Sequence, residues 1–276
     1  MPLTNDHGFN NLQYLTADNI HSPKVAAIFS TRNGGVSGTT PETEYLHSMN
    51  LQLNPQVDSP ANTEENHRII AASQGFNEND IMNLWQRHTD KVIAIDKTQA
   101  ESRPHTNLGE ADAVITNIEG ILLAIRVADC VPILLYDSAN NAIGAVHAGW
   151  RGTFTQIGAK TVKEMCTQYG TNPANIKAAI GPAIGVCCFE VGADFYEQFH
   201  NEYGDAINEF FKLEHGRKPH CNLALMNMSF LINAGVCSQN IDISALCTMC
   251  NPKLFYSHRR SGEKRGTMAA FIGMKS

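Results

Sequence analysis

Hydrophobic and polar positions follow two rhythms along this chain. Short, nearly unbroken apolar runs at 25–30, 82–86, 92–95, 113–116, 121–125, 131–136, 142–146, 176–180, 254–257 and 268–272 predict strands. Residues 60–74 predict a helix, with Ser59 or Asn62 as cap and Gly75 as stop. Phe154, Ile157, Thr161, Met165 and Tyr169 recur at helical spacing, so a second helix is expected to start near Gly152 and Thr153. Two more are expected over 191–203 and 223–234, the latter ended by Gly235. Residues 96–110 are polar and read as an exposed loop. With no repeat, low-complexity tract or linker, the expectation is one α/β (mixed α+β) domain over 1–276.

The runs 131–136 and 142–146 flank a turn at 137–141, which predicts a hairpin with Cys130 beside His147. Opposite residues of an antiparallel pair sit ~5 Å apart on one face. That placement suits a shared metal ion or a thiolate–imidazolium pair. A catalytic zinc takes three protein ligands and keeps one position open, and His88, at a strand-to-turn junction, is the third candidate. The plainer alternative is a buried thiol beside a hydrogen-bonded histidine.

Composition narrows the classes. The 276 residues are 43% hydrophobic and 17% charged, a globular balance with room for a sizeable core. A net charge of −6 without blocks of like sign argues against nucleic acid as partner. No apolar run approaches the ~20 residues of a membrane span, and residues 1–7 lack the basic and apolar regions of a signal peptide. The eight scattered cysteines read as reduced cytoplasmic thiols.

Other segments carry two readings each. Gly149, Arg151 and Gly152 form either an anion site at a helix start or a tight strand–helix turn. Residues 32–37 form either a phosphate cradle with Arg32 as partner or a plain turn; they match neither a P-loop nor a dinucleotide fingerprint. Cys247 and Cys250 have metal or redox spacing. No second Cys-x-x-Cys follows, so they read as two buried thiols rather than a structural zinc. Adjacent Cys187 and Cys188 are expected in a close-packed loop, unable to bridge each other.

The segments 30–37, 86–88, 111–113 through 128–130, 145–153, 180–192 and 255–260 together resemble the YfiH-like laccase-domain family, once called multicopper polyphenol oxidases. The resemblance spans nearly the whole chain, and the Ala128-Asp129-Cys130 and His147-Ala148-Gly149-Trp150-Arg151-Gly152 pair is its most specific part. It implies mixed and antiparallel sheets sandwiched by helices, and one zinc ion held by His88, Cys130 and His147. It also implies phosphorolysis of adenosine, inosine, guanosine or methylthioadenosine to base and ribose 1-phosphate. Adenosine deamination, with a zinc-activated water attacking C6, is a second implied activity. Arg32 and Arg151 are the candidates for phosphate, and Asn50 for substrate. Asp129 either orients a ligand or bonds local backbone. Departures from the family pattern at Thr89, Asn222 and 264–267 leave the trio untouched.

Three alternatives stay beside this. One is a cysteine hydrolase or deamidase using Cys130 and His147. Another is a non-catalytic zinc protein in cell-wall precursor quality control. The third is a copper enzyme, disfavoured because the eleven histidines include no His-x-His pair. The expected partners are a purine nucleoside and phosphate; oligomeric state is open.

Overall fold

Strands buried on both faces read as unbroken apolar runs, because neither face meets water. The computed structural model describes residues 1–102 and 107–276 and shows why this chain carries so many such runs. Its strands are β1 (Leu3–Asp6), β2 (Leu12–Thr16), β3 (Val25–Ser30), β4 (Ile81–Trp85), β5 (Val92–Ala94), β6 (Asn107–Glu110), β7 (Ala113–Thr116), β8 (Ile121–Val127), β9 (Val131–Asp137), β10 (Ala142–Ala148), β11 (Lys177–Ile180), β12 (Phe211–Lys212), β13 (His220–Cys221), β14 (Ile241–Ile243) and β15 (Met268–Met274). Its helices are α1 (Pro60–Ser73), α2 (Lys97–Glu101), α3 (Trp150–Phe154), α4 (Ile157–Tyr169), α5 (Ala193–Tyr203), α6 (Leu223–Asn233) and α7 (His258–Ser261).

One sheet has the order β1-β2-β3-β15-β8-β4-β6, and a second has β14-β11-β9-β10-β7-β5. They pack face to face. Leu123 and Ile125 of β8 and Ala270 and Ile272 of β15 join Leu134 of β9 and Ile143 and Ala145 of β10 in a central core. The intervening residues turn outward by the two-residue period of a strand. Leu122, Ala124 and Phe271 meet Ile69 and Ile70 of α1. Ile133, Leu135 and Val146 meet Ile157, Val162 and Met165 of α4 and Leu231 of α6. The result is a helix–sheet–sheet–helix sandwich of mixed α+β type, with parallel and antiparallel pairings in both sheets. Among the described residues no helix is long and apolar enough to cross a membrane.

Several expectations hold. The α1 helix is capped by Ser59, whose side chain accepts the Asn62 N–H. The turn of the β9–β10 hairpin is closed by Asp137, which accepts from Ala139 N at 2.9 Å and Asn140 Nδ2 at 2.7 Å.

Others need correction. The hairpin register pairs His147 with Pro132, two residues from the predicted Cys130. The predicted loop 96–110 contains α2 and β6, with 103–106 outside the described residues. Helix α3 starts at Trp150, and a left-handed Gln156 (φ 57°) separates it from α4. Residues 254–257 form no strand; they lead into α7. Strands β1, β2 and β14 were not expected from the pattern, being short and only half-buried or alternating.

Candidate active site

The β4–β5 connection crosses from the first sheet to the second, because β4 and β5 belong to different sheets. It carries His88. The ends of the β9–β10 hairpin lie beside it. Cys130 precedes β9 by one residue and His147 is the penultimate residue of β10. Although Pro132 faces His147, Cys130 lies two positions further along the same face. Such a diagonal neighbour remains within side-chain reach.

The structure thus brings all three predicted residues together. Cys130 Sγ lies 3.8 Å from His88 Nε2, and the imidazole rings of His88 and His147 have centroids 5.0 Å apart. The potential ligand atoms of the trio all lie within 4.8 Å of one another. Ligands ~2.0–2.3 Å from a common tetrahedral zinc would be ~3.3–3.8 Å apart, so small side-chain adjustments suffice. His147 is buried while His88 is exposed, leaving one side open.

Asp112 organises this arrangement. Its fully buried carboxylate accepts from the N–H of Arg87 (3.1 Å), His88 (3.0 Å) and Thr89 (2.7 Å), from Thr89 Oγ1 (2.8 Å) and from His147 Nδ1 (2.7 Å). Its carbonyl also accepts the His147 N–H at 2.7 Å. These bonds hold His88 in a left-handed backbone conformation (φ 62°) and direct His147 Nε2 toward Cys130. Sequence reasoning quoted Asp112 inside a motif but gave it no role.

The charges fit the geometry. Burial pushes the Cys130 thiol up, but His147 and His88 outweigh burial and bring it down to about 6. Burial lowers His147, while the Cys130 thiolate and Asp112 raise it further, to about 9. Burial raises Asp112, but hydrogen bonds from His147 and Thr89 hold it at about 2. Without metal the centre is a thiolate–imidazolium pair backed by a carboxylate. The trio offers one soft thiolate and two borderline imidazoles, one of them held by a carboxylate, a set suited to a divalent transition metal.

Gly149 makes room for this cluster. A Cβ there would lie 2.6 Å from His88 Cδ2 and 3.1 Å from Cys130 Sγ. Its small size serves the approach of these two side chains. Beside His88 opens a cavity of about 310 Å³, lined by Thr89, Trp150, Arg151, Phe154 and Gln198. Arg151 lies over the Trp150 ring, 4.3 Å from its centroid. Arg265 sits close enough to Cys130 to feel its charge. Arg265 was not singled out from sequence.

Arg32 and Asn50 lie in a different setting. Arg32 donates to the carbonyls of His47 (2.8 Å), Pro252 (3.1 Å) and Tyr45 (3.0 Å) and covers the Tyr256 ring. Asn50 is fully buried, donates to Asp58 at 3.0 Å and accepts from Gln52 N and Thr267 N, both at 3.1 Å. In the glycine-rich loop, Ser48 Oγ accepts the N–H of Gly34 and Gly35, and Asn66 Oδ1 accepts that of Val36. Those donors hold a packed turn, leaving none of the three to cradle a phosphate.

Asp129 (φ 88°) accepts from Thr248 Oγ1 (2.5 Å), Ser257 Oγ (3.0 Å) and Arg259 N (2.6 Å), tying the C-terminal segment to the residue before Cys130. Cys250 is exposed, which corrects the expectation of two buried thiols at 247 and 250.

Residues 26–275 match the family described as multi-copper polyphenol oxidoreductase laccase. The chain is 35% identical over 263 residues to purine nucleoside phosphorylase YlmD of Bacillus subtilis, covering 93% of this chain and 91% of that protein. It is 33% identical over 242 residues to adenosine deaminase RL5 of an unknown prokaryotic organism, covering 86% and 90%. The crystal structure of the Bacillus licheniformis hypothetical protein YfiH superposes with a TM-score of 0.86 at 32% identity, over 99% of each chain.

Proposed function

The chain belongs to the multi-copper polyphenol oxidoreductase laccase family, the YfiH-like laccase-domain proteins, and from that premise we propose that it is a purine nucleoside phosphorylase with one zinc ion at His88, Cys130 and His147. The observation that carries this is the trio itself: two imidazoles and a thiol, one imidazole fixed by the buried Asp112 carboxylate, beside an open cavity. The eight unpaired cysteines suit a reducing compartment, and we assign the enzyme to the cytoplasm.

Phosphorolysis joins a phosphate oxygen to C1′ of the ribose and breaks the C1′–N9 bond, so the purine leaves with the bonding pair and then takes a proton. Bound zinc supplies a Lewis acid with one open position. Trp150 and Phe154 offer apolar ring faces to the base. Arg151, in the cavity wall, and Arg265, whose charge Cys130 feels, are the cations that place phosphate and offset its charge. Asp112 holds His147 in one tautomer, with its proton on Nδ1. Arg32, which donates to the His47, Pro252 and Tyr45 carbonyls, and Asn50, which donates to Asp58, act as scaffold for the loop at 47–50.

Similarity to a protein named adenosine deaminase favours one second activity at the same trio, hydrolysis at C6 to give inosine. The test is incubation of the purified protein with adenosine, and in parallel with inosine and guanosine, with and without inorganic phosphate, read by chromatography. Adenine and ribose 1-phosphate that require phosphate are the expected products. Inosine formed regardless of phosphate would make deamination the main activity. Intact adenosine, inosine and guanosine under both conditions would contradict the assignment.

A further inference from the structure

Remote from the trio's ligands in sequence, the fold collects four further cysteines. Cys187 and Cys188 lie in the turn after β11, and Cys247 and Cys250 in the turn after β14. Their sulfur atoms all lie within 4.8 Å of one another. Cys250 Sγ is 3.6 Å from Cys187 Sγ and 3.3 Å from Cys188 Sγ. Four thiolates ~2.3 Å from a tetrahedral zinc have sulfur–sulfur edges of ~3.8 Å, so the cluster is near that shape already.

The surroundings match a thiolate centre. The Gly185 N–H donates to Cys247 Sγ at 3.2 Å, a bond that favours a charged sulfur. The Cys188 and Phe189 N–H groups both bond the Gly185 carbonyl. That tight turn lets the two adjacent sulfurs reach the same partner, which an extended strand would forbid. Two guanidinium groups face the loops. Arg259 donates to the carbonyls of Cys188 (3.4 Å) and Glu190 (2.9 Å), and Arg260 to those of Thr248 (3.3 Å) and Met249 (3.1 Å). They offset the negative charge that four thiolates leave on a divalent ion.

We propose that Cys187, Cys188, Cys247 and Cys250 form a second metal site, a four-thiolate centre for a thiophilic divalent cation such as zinc, which staples the 181–192 loop to the 247–250 turn. The stapled turns also bond to Asp129 through backbone and side chain, contacts that do not themselves need the metal. The Thr248 N–H bonds the Ala183 carbonyl at 3.0 Å, the Ile184 N–H bonds the Asp129 carbonyl at 2.9 Å, and Thr248 Oγ1 bonds the Asp129 carboxylate at 2.5 Å. Asp129 is the neighbour of Cys130. A closed site of this kind adds its binding free energy to folding.

Metal content of zinc-grown protein tests this, with wild type, Cys130→Ala and the double variant Cys187→Ser/Cys250→Ser measured together. The double variant should carry about one equivalent less than wild type, keep nucleoside turnover and melt at a lower temperature. Cys130→Ala should keep the equivalent that the double variant loses, which separates this centre from the His88–Cys130–His147 site. Because a double variant can misfold, Cys250→His, which restores a zinc ligand, is compared with Cys250→Ser. Retention by histidine and loss by serine is the expected pattern. Equal metal content in wild type and the double variant would overturn the proposal. So would an intact mass showing the wild-type cluster as a disulfide, two hydrogens lighter, under native conditions.

Discussion

Replacing Asp112 with asparagine removes a charge while keeping the side chain's shape. The amide can no longer accept all five hydrogen bonds that the carboxylate takes from Arg87, His88, Thr89 and His147. Partners that orient metal ligands are worth ~10–100-fold in affinity, so Asp112→Asn should weaken zinc binding by about that factor. Competition with a chromophoric chelator measures it; unchanged affinity would remove Asp112 from the centre. A second prediction concerns protons. A thiol lowered to about 6 persists as thiolate above that pH, and a histidine raised to about 9 persists as imidazolium below that pH. Near neutrality the Cys130–His147 pair therefore yields one proton per metal bound, from the imidazolium, so metal affinity falls about tenfold per pH unit below about 9 and about a hundredfold per unit once pH falls through about 6. A pH-metered zinc titration in weak buffer reads the release, and two protons from this pair would contradict the charge assignment. The trio was legible because its flanks depart from ordinary strand sequence. Asp112 was not, because its partners lie 23 to 35 positions away and leave no local spacing.

Between β10 and α3 the chain must turn past the site within the single residue Gly149. Its φ of −66° suits any residue, so an alanine there meets no backbone penalty. The added methyl instead collides with His88 and Cys130. Overpacking costs ~1–3 kcal/mol, and Gly149→Ala should lower kcat/KM about tenfold or more with weakened metal retention. Unaltered kinetics would mean that the contact relaxes without moving the ligands. The hairpin was readable from two apolar runs and a turn, yet its register was two residues out. Asp137 stays paired with Ala142, and its carboxylate closes the turn after it, a side-chain detail that periodicity does not encode. The helix expected to run through Thr155 breaks because Gln156 turns left-handed, which helical spacing of apolar residues cannot reveal.

Across the whole molecule, the trio stands where the two sheets meet. His88 sits on the β4–β5 connection that crosses between them, while Cys130 and His147 belong to the second sheet's hairpin. An ion bound there couples site occupancy to the sandwich. A metal at ~1,000 times its Kd stabilises the native state by ~4 kcal/mol. At ~2–4 °C per kcal/mol for chains approaching this length, chelation should lower Tm by roughly 10 °C, read by calorimetry. An unchanged Tm on confirmed metal loss would show that occupancy and folding are uncoupled. The apolar runs announced strands buried on both faces, but not which faces meet. The inter-sheet core of Leu123, Ile125, Leu134, Ile143 and Ala270 has the same composition as the faces turned to helices.

The most direct test of the central claim is the fate of phosphorolysis when the trio loses its metal. Wild type and Cys130→Ala are stripped with chelator, assayed with adenosine and phosphate, then assayed again after zinc is restored. The account predicts that stripped wild type is inactive and regains adenine formation with about one zinc at the trio, whereas Cys130→Ala stays inactive. Full turnover by stripped wild type, or by Cys130→Ala, would contradict it.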